Sequence, residues 1–355
     1  MEEVPMIYIN ARFLTQNTTG VQRFALEICK SLSKKRDDIV FLVPSVDLII
    51  DKSCFNEFSI KEIKGGFGHF WEQFTLPRYL RSLGNPLLIN LCNTAPIFYG
   101  NKISIIHDVT FLRYPESYSL KFRAFYKVLI PLVLKTSKKI LTVSNFSKDD
   151  ISREYSLDKN KIGVIYNAVS DIFYPIIKKE SEKPYALAVS SPNKHKNFPN
   201  LIDAFLKSNV NLDLKIIGSL SNAFSDQSSL VNNDPRIKFL GRVGDQELVE
   251  LYQNAKFFIF PSLYEGFGIP PLEAQACGCP VISSNAASLP EVLKESAFYF
   301  EPNDVNSIRA AIEFVNLDTV LMEKLVIDGY ENIKRFSWDK SAQKLNEIID
   351  QVLSQ

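Results

Sequence analysis

The chain has 355 residues, of which 46% are hydrophobic, 12% aromatic and 23% charged, with 41 Lys and Arg against 40 Asp and Glu for a formal net charge of +1. That length exceeds what one hydrophobic core organises and predicts two domains; the composition excludes a disordered chain, and the charge balance excludes a protein drawn to nucleic acid by its global field. With no apolar run of the ~18–20 residues a spanning helix needs, no leader-like pattern in Met1-Glu-Glu-Val-Pro, and five scattered cysteines without zinc spacing, the expectation is a cytoplasmic protein, soluble or peripheral, with free thiols.

Short β-rich apolar runs alternate with segments of helical period, the pattern of parallel sheets covered by helices on both faces. In the first half, strands are predicted at Ile7–Ile9, Val40–Val43, Leu87–Leu91, Ile103–Ile106, Ile140–Val143 and Gly163–Ile165, with helices over roughly 21–35, 70–83, 120–137 and 146–155. Between Ser117 and Lys139 stand six basic residues, Lys121, Arg123, Lys127, Lys135, Lys138 and Lys139, and no acid, interleaved with apolar ones. This predicts a helix with one face in the core and a solvated basic face, which also suits anionic lipid headgroups.

Between Ala168 and Lys183 both periodicities break, and a domain boundary is expected near residue 170. In the second half, strands are predicted near Ala186–Val189, Leu214–Ile217, Lys238–Leu240, Phe257–Phe260, Val281–Ser283 and Phe298–Phe300, with helices near 198–208, 245–254, 271–277, 304–316 and 319–335. Ser337 is a candidate N-cap for a final amphipathic helix from Trp338 to about Leu353.

The densest motif runs from Phe260 to Pro280. A buried strand ends at Phe260, a loop with Gly266 and Gly268 follows, Pro270 or Pro271 opens a helix, and Gly278 is placed to stop it. Backbone amides of Gly266, Phe267 and Gly268 are thereby offered to an anion or hydroxyl beside a helix N-terminus. Glu265 and Glu273 frame the loop eight positions apart. On the residues alone, Glu273 also reads as a carboxylate complementing the helix dipole, and Glu265 as a loop charge.

A second motif, Ala188-Val-Ser-Ser-Pro-Asn-Lys-His-Lys-Asn, joins a strand to a helix and carries Lys194, His195 and Lys196 at the strand's C-terminal end, where ligands of open α/β sheets bind. In the first half, Ile105-Ile-His-Asp-Val sets His107 and Asp108 at another such end, and Asn17-Thr-Thr-Gly follows the first strand.

The Phe260–Pro280 segment resembles the E-x7-E signature of retaining glycosyltransferases of the GT-B fold, in the large family 4 group, and the other motifs match that family in order. The resemblance implies an α/β protein of two Rossmann-like doubly wound parallel-sheet domains facing across a cleft: residues 1–170 binding the acceptor, 171–336 binding the sugar-nucleotide donor, and a helix over 337–355 crossing back to the first domain. It implies that Glu265 touches hydroxyls of the transferred sugar, that Gly266, Phe267, Gly268 and Ile269 hold sugar and diphosphate, and that Glu273 accepts from the ribose hydroxyls. Lys196 would bind the diphosphate. Ser190 occupies the position where relatives often carry a second cation, so Lys194 or His195 would compensate.

By the same resemblance Arg242 and Val243 lie in the base-reading segment, His107 contacts the donor sugar near the reacting carbon, Thr19 and Gly20 reach the phosphates, and Asp108 and Ser144 stand on the acceptor side. The implied chemistry is metal-independent transfer with retention of the α configuration, without cofactor or protein nucleophile. GDP-mannose is the first donor expected, ahead of dTDP- and UDP-sugars. The expected acceptor is a glycan or polyprenyl-linked saccharide of bacterial O-antigen or capsule. A non-catalytic sugar-nucleotide-binding or scaffold protein is the alternative. The absence of Asp-x-Asp, G-x-x-x-x-G-K-[ST] and G-x-G-x-x-G argues against the metal-chelating glycosyltransferase fold, nucleotide hydrolases and nicotinamide enzymes.

Overall fold

A computed structural model describes residues 6–176, 183–189, 193–218 and 234–355. The chain divides into two compact units, the first comprising Met1–Val109, Leu120–Asn167 and Ser337–Gln355, the second Thr110–Ser119 and Ala168–Phe336.

The sheet of the first unit is built from β1 (Ile7–Asn10), β2 (Ile39–Val43), β3 (Ile60–Glu62), β4 (Leu88–Asn90), β5 (Lys102–Ile105), β6 (Lys139–Thr142) and β7 (Ile162–Val164). Its order is β3-β2-β1-β4-β5-β6-β7, and every pairing is parallel. Central strands such as β4 and β5 are buried at every position, as a sheet covered on both faces requires.

The second unit holds β8 (Tyr185–Val189), β9 (Asp213–Ile217), β10 (Ile237–Gly241), β11 (Phe257–Phe260), β12 (Val281–Ser284) and β13 (Phe298–Phe300), again parallel, in the order β10-β9-β8-β11-β12-β13. Counted within the unit, the second order is 3-2-1-4-5-6, the Rossmann order, and the first is the same order with a seventh strand added at its edge. Strand succession therefore reverses between β1 and β4 and between β8 and β11, and ligands of such sheets bind beyond the strand ends at that reversal.

The last helix, Trp338–Leu353, belongs to the first unit. Ser337 caps it, and its buried residues Trp338, Ala342, Leu345, Ile349 and Val352 recur at helical spacing. Trp338 meets Phe24 of the Gly20–Ser33 helix at 5.8 Å between ring centroids, and Arg36 reaches Asn346 at 2.9 Å and Asp350 at 2.5 Å.

Several expectations need correction. Strand β3 was not foreseen. The predicted 70–83 helix is interrupted, running as Gly68–Phe70, a wider π turn over Trp71–Thr75, then Leu76–Ser82. Residues 110–119 belong to the second unit, not to the first domain. The Leu120–Thr136 helix buries Leu129, Ile130, Val133 and Leu134 as expected, yet its solvent face is not simply basic. Phe125, Val128 and Leu132 are exposed along it, bracketed by Lys121 and Lys135.

Candidate active site

At the reversal point of the second unit, β8 and β11 lie side by side and each delivers a loop. The loop after β8 includes a tight turn over Lys194–Lys196, after which Asn197 takes the left-handed conformation (φ 59°) and the Phe198–Leu206 helix begins. The loop after β11 runs through Glu265 to Gly268 and opens the Ile269–Ala276 helix, with its prolines in the first turn.

Lys196 Nζ donates to Glu265 Oε1 at 2.6 Å and lies 5.8 Å from the centroid of the Phe260 ring. The two side chains are 19% and 14% exposed, so this ion pair is partly shielded from water while open to a ligand. Glu273 is buried in its helix and accepts from the Tyr252 hydroxyl at 3.2 Å. Burial, and then the nearby Glu273 charge, push the Tyr252 phenol well above its ordinary pKa, which keeps it a donor.

Residues without a predicted role hold the two loops in register. Asn197 Nδ2 donates to the carbonyls of Pro261 (3.1 Å) and Pro302 (2.7 Å), and the Leu263 amide donates to the His195 carbonyl at 2.7 Å. Ser288 Oγ donates to the carbonyls of Glu265 and Phe267, each at 3.0 Å. Gly268 has φ +91°, and a Cβ there would stand 2.7 Å from a Leu289 methyl, so the loop accepts only glycine without rearrangement. Gly278 ends the helix as expected, with φ +71°.

His195 departs from expectation. Its side chain is buried rather than offered to an anion; its Nδ1 lies 3.0 Å from the Ser117 hydroxyl, and its ring is flanked by Tyr114 and Tyr118. These partners come from the 110–119 segment, which explains why that segment belongs to the second unit. Lys194 is exposed. The Phe267 side chain is buried, edge-on to Phe336 at 5.3 Å. Arg242 is exposed and Val243 half-buried just after β10, Ile269 is half-buried, and Ser190 lies outside the described residues.

In the first unit His107 is only 5% exposed. Its Nε2–H donates to the Leu91 carbonyl at 2.9 Å and its ring meets Phe24 edge-on at 4.8 Å. Burial lowers its pKa, against the opposing effects of the Leu91 carbonyl and Asp108, so the ring is neutral near pH 7 with Nδ1 as its lone-pair nitrogen. Ser144, expected on the acceptor side, is instead a fully buried helix cap that accepts from the Ser147 amide at 2.9 Å. Thr19 caps the first helix, where its amide and hydroxyl both reach Gln22 Oε1. At Gly20 an added Cβ would meet nothing within 4 Å, so neighbouring atoms do not demand a glycine. All five cysteines are free, and among the described residues no three His, Cys, Asp or Glu side chains gather as a metal site.

Two Rossmann-like units, the second with a lysine–carboxylate pair at its strand reversal, are the GT-B architecture. The profile of "Glycosyltransferase Family 4" matches residues 18–171 and that of "Glycosyl transferases group 1" matches residues 171–332. Similar chains include the O-antigen chain mannosyltransferase RfbU of Salmonella typhimurium, 35% identical over 240 residues covering 66% of this chain and 67% of that one. O-antigen chain mannosyltransferase B of Escherichia coli is 31% identical over 262 residues covering 69% of each. Among solved structures, sucrose-phosphate synthase of Thermosynechococcus elongatus superimposes with a TM-score of 0.78 at 16% identity over 99% of both chains. The chain belongs to the family 4, group 1 glycosyltransferases. It is an enzyme of glycosyl transfer.

Proposed function

We propose that this enzyme transfers mannose from GDP-mannose to a hydroxyl of a glycan or lipid-linked saccharide during assembly of a bacterial surface polysaccharide, with retention and without a metal. The Lys196–Glu265 pair at the strand reversal of the second unit carries the reading, and the mannosyltransferase names of both similar chains support the sugar.

Lys196 turns from Glu265 toward the donor diphosphate and stabilises the charge that grows on it as the bond from the anomeric carbon breaks. Amides at the start of the Ile269–Ala276 helix add to that stabilisation. Glu265, released from Lys196, accepts from a hydroxyl of the sugar, and Glu273 accepts from the ribose. The new bond forms on the face the leaving group vacates, and the acceptor's proton passes to a phosphate oxygen of the departing GDP.

Purified protein should transfer radiolabelled mannose from GDP-mannose to a lipid-linked saccharide at an undiminished rate in EDTA. GDP should raise its melting temperature more than UDP or dTDP does. Loss of transfer in EDTA removes the metal-free scheme, and a larger shift with UDP removes the donor assignment.

The same acceptor would bring the enzyme to a membrane. The exposed Phe125, Val128 and Leu132 between Lys121 and Lys135 form an apolar strip with a cationic border, suited to resting in the headgroup region of anionic lipid. Co-sedimentation with phosphatidylglycerol vesicles should fall markedly between about 50 and about 500 mM salt. Binding unchanged across that range would leave the basic residues without this part.

A further inference from the structure

The segment after β12 grips the loop after β11 through two serine hydroxyls. Ser284, the last residue of β12, donates from Oγ to the Ser262 carbonyl at 2.5 Å. Ser288 follows, fully buried, and its Oγ shares one proton between the carbonyls of Glu265 and Phe267, each at 3.0 Å. A tight turn presents it: the Leu289 amide donates to the Ala286 carbonyl at 3.1 Å, and Ala287 takes the left-handed conformation at φ 55°. A Cβ makes that backbone unfavourable, so it persists only where the surroundings over-determine it, as they do at ligand clamps.

We infer that Ser288 is a positioning residue for the backbone amides that hold the donor's diphosphate, a role that rests on the donor reading proposed above. A peptide unit is planar and trans, so its N–H points opposite to its C=O. The Glu265 carbonyl shares its peptide unit with the Gly266 amide, and the Phe267 carbonyl shares its own with the Gly268 amide. Drawing both carbonyls to one buried oxygen therefore turns both amides away from Ser288, toward the other side of the loop.

The glycines create the need for this pin. Without a Cβ at Gly266 or Gly268, a phosphate oxygen can approach the backbone closely, but the peptide units beside a glycine also turn easily. A unit that turned over would present a carbonyl oxygen where an amide stood, and would repel the anion it should attract. Ser288 removes that freedom at both units with one hydroxyl. Alanine in its place would fill nearly the same volume and leave the two carbonyls without this donor. The ligand class follows from the groups being aimed: amide donors serve the phosphates, whereas base and ribose are read elsewhere in the proposed scheme.

Ser288→Ala should therefore weaken diphosphate binding and spare the nucleoside. In the full chain, NMR titrations with GDP and with guanosine separate the two contributions, and UDP and uridine run in parallel make the outcome independent of the base. The dissociation constant of the bound diphosphate should rise about tenfold or more in Ser288→Ala, with that of its nucleoside unchanged. A purely structural role would shift nucleotide and nucleoside together, or lower only the melting temperature. In transfer assays kcat should also fall, because charge on the diphosphate grows as the bond breaks, while the acceptor KM stays unchanged. If Ser288→Ala does not fold, Ser288→Cys decides, a thiol of similar size being the weaker donor. Wild-type diphosphate affinity in a folded variant overturns the role of Ser288 and leaves the donor reading standing. If the wild-type protein binds neither diphosphate more tightly than its nucleoside, the donor reading falls and the role of Ser288 falls with it.

Discussion

Lys196→Ala should lower kcat/KM about 100- to 1000-fold, a loss of roughly 2.7–4 kcal/mol of transition-state stabilisation. The ammonium is neutralised by Glu265 at 2.6 Å, so the attraction it offers a bound diphosphate is partly spent on displacing that carboxylate. As the glycosidic bond lengthens, negative charge accumulates on the diphosphate, and the lysine's attraction rises with it in a partly dry site. The loss should therefore fall on kcat more than on the donor KM. Lys196→Arg should rescue poorly, because the guanidinium is a planar fork replacing a compact charge that stands over the Phe260 ring. Lys196 and Glu265 touch, so Lys196→Ala/Glu265→Ala should cost less than the sum of the single changes. Near-normal turnover by folded Lys196→Ala would remove the lysine from the chemistry.

Much of this site was legible because its determinants are local in sequence. β11 announces itself as four consecutive buried apolar residues, and the glycines, prolines and acids after it are fixed by one loop and one helical turn. Twelve of the thirteen described strands lie where periodicity placed them. The exception, β3, has three residues with one apolar side chain, too little pattern to distinguish an edge strand from a loop. Glu72 was invisible for another reason: its partners Asn10 and Thr94 are 62 and 22 residues away, and an isolated glutamate within a helical pattern reads as a surface charge. His195 misled because three basic residues in a row look alike in sequence. Only the Tyr114–Tyr118 segment, whose Ser117 lies 78 positions earlier, decides that the middle one faces inward. Ser144 matched a family position yet serves its own helix, an ambiguity any N-cap serine carries.

Asn197→Ala should destabilise the second unit by roughly 2–5 kcal/mol and lower activity with it, although the residue makes no proposed contact with substrate. Two effects combine. Alanine pays about 1–2 kcal/mol to hold the left-handed backbone that asparagine tolerates, here at φ 59°. Loss of the amide also strips a buried donor from the Pro261 carbonyl, while Pro302 keeps the Asn200 amide at 3.3 Å. Asn197→Gly separates them, since glycine removes the strain and leaves the missing donor. Its deficit by calorimetry should be smaller than that of alanine by that strain, and equal deficits would show that the backbone conformation costs nothing. Both variants loosen the turn that carries Lys196, and a displacement of about 1 Å there is enough for a roughly 100-fold loss in rate. Asn197→Asp should be worse than either at neutral pH, because an ionised acceptor would face two carbonyl oxygens. That arrangement raises the carboxyl's folded-state pKa above its unfolded value, so the folded state binds the extra proton. The deficit should therefore shrink as pH falls through the raised pKa, when the protonated acid can donate to one carbonyl again. A deficit independent of pH would mean that the side chain has swung away from Pro261 and Pro302, and that these bonds do not set the position of Lys196.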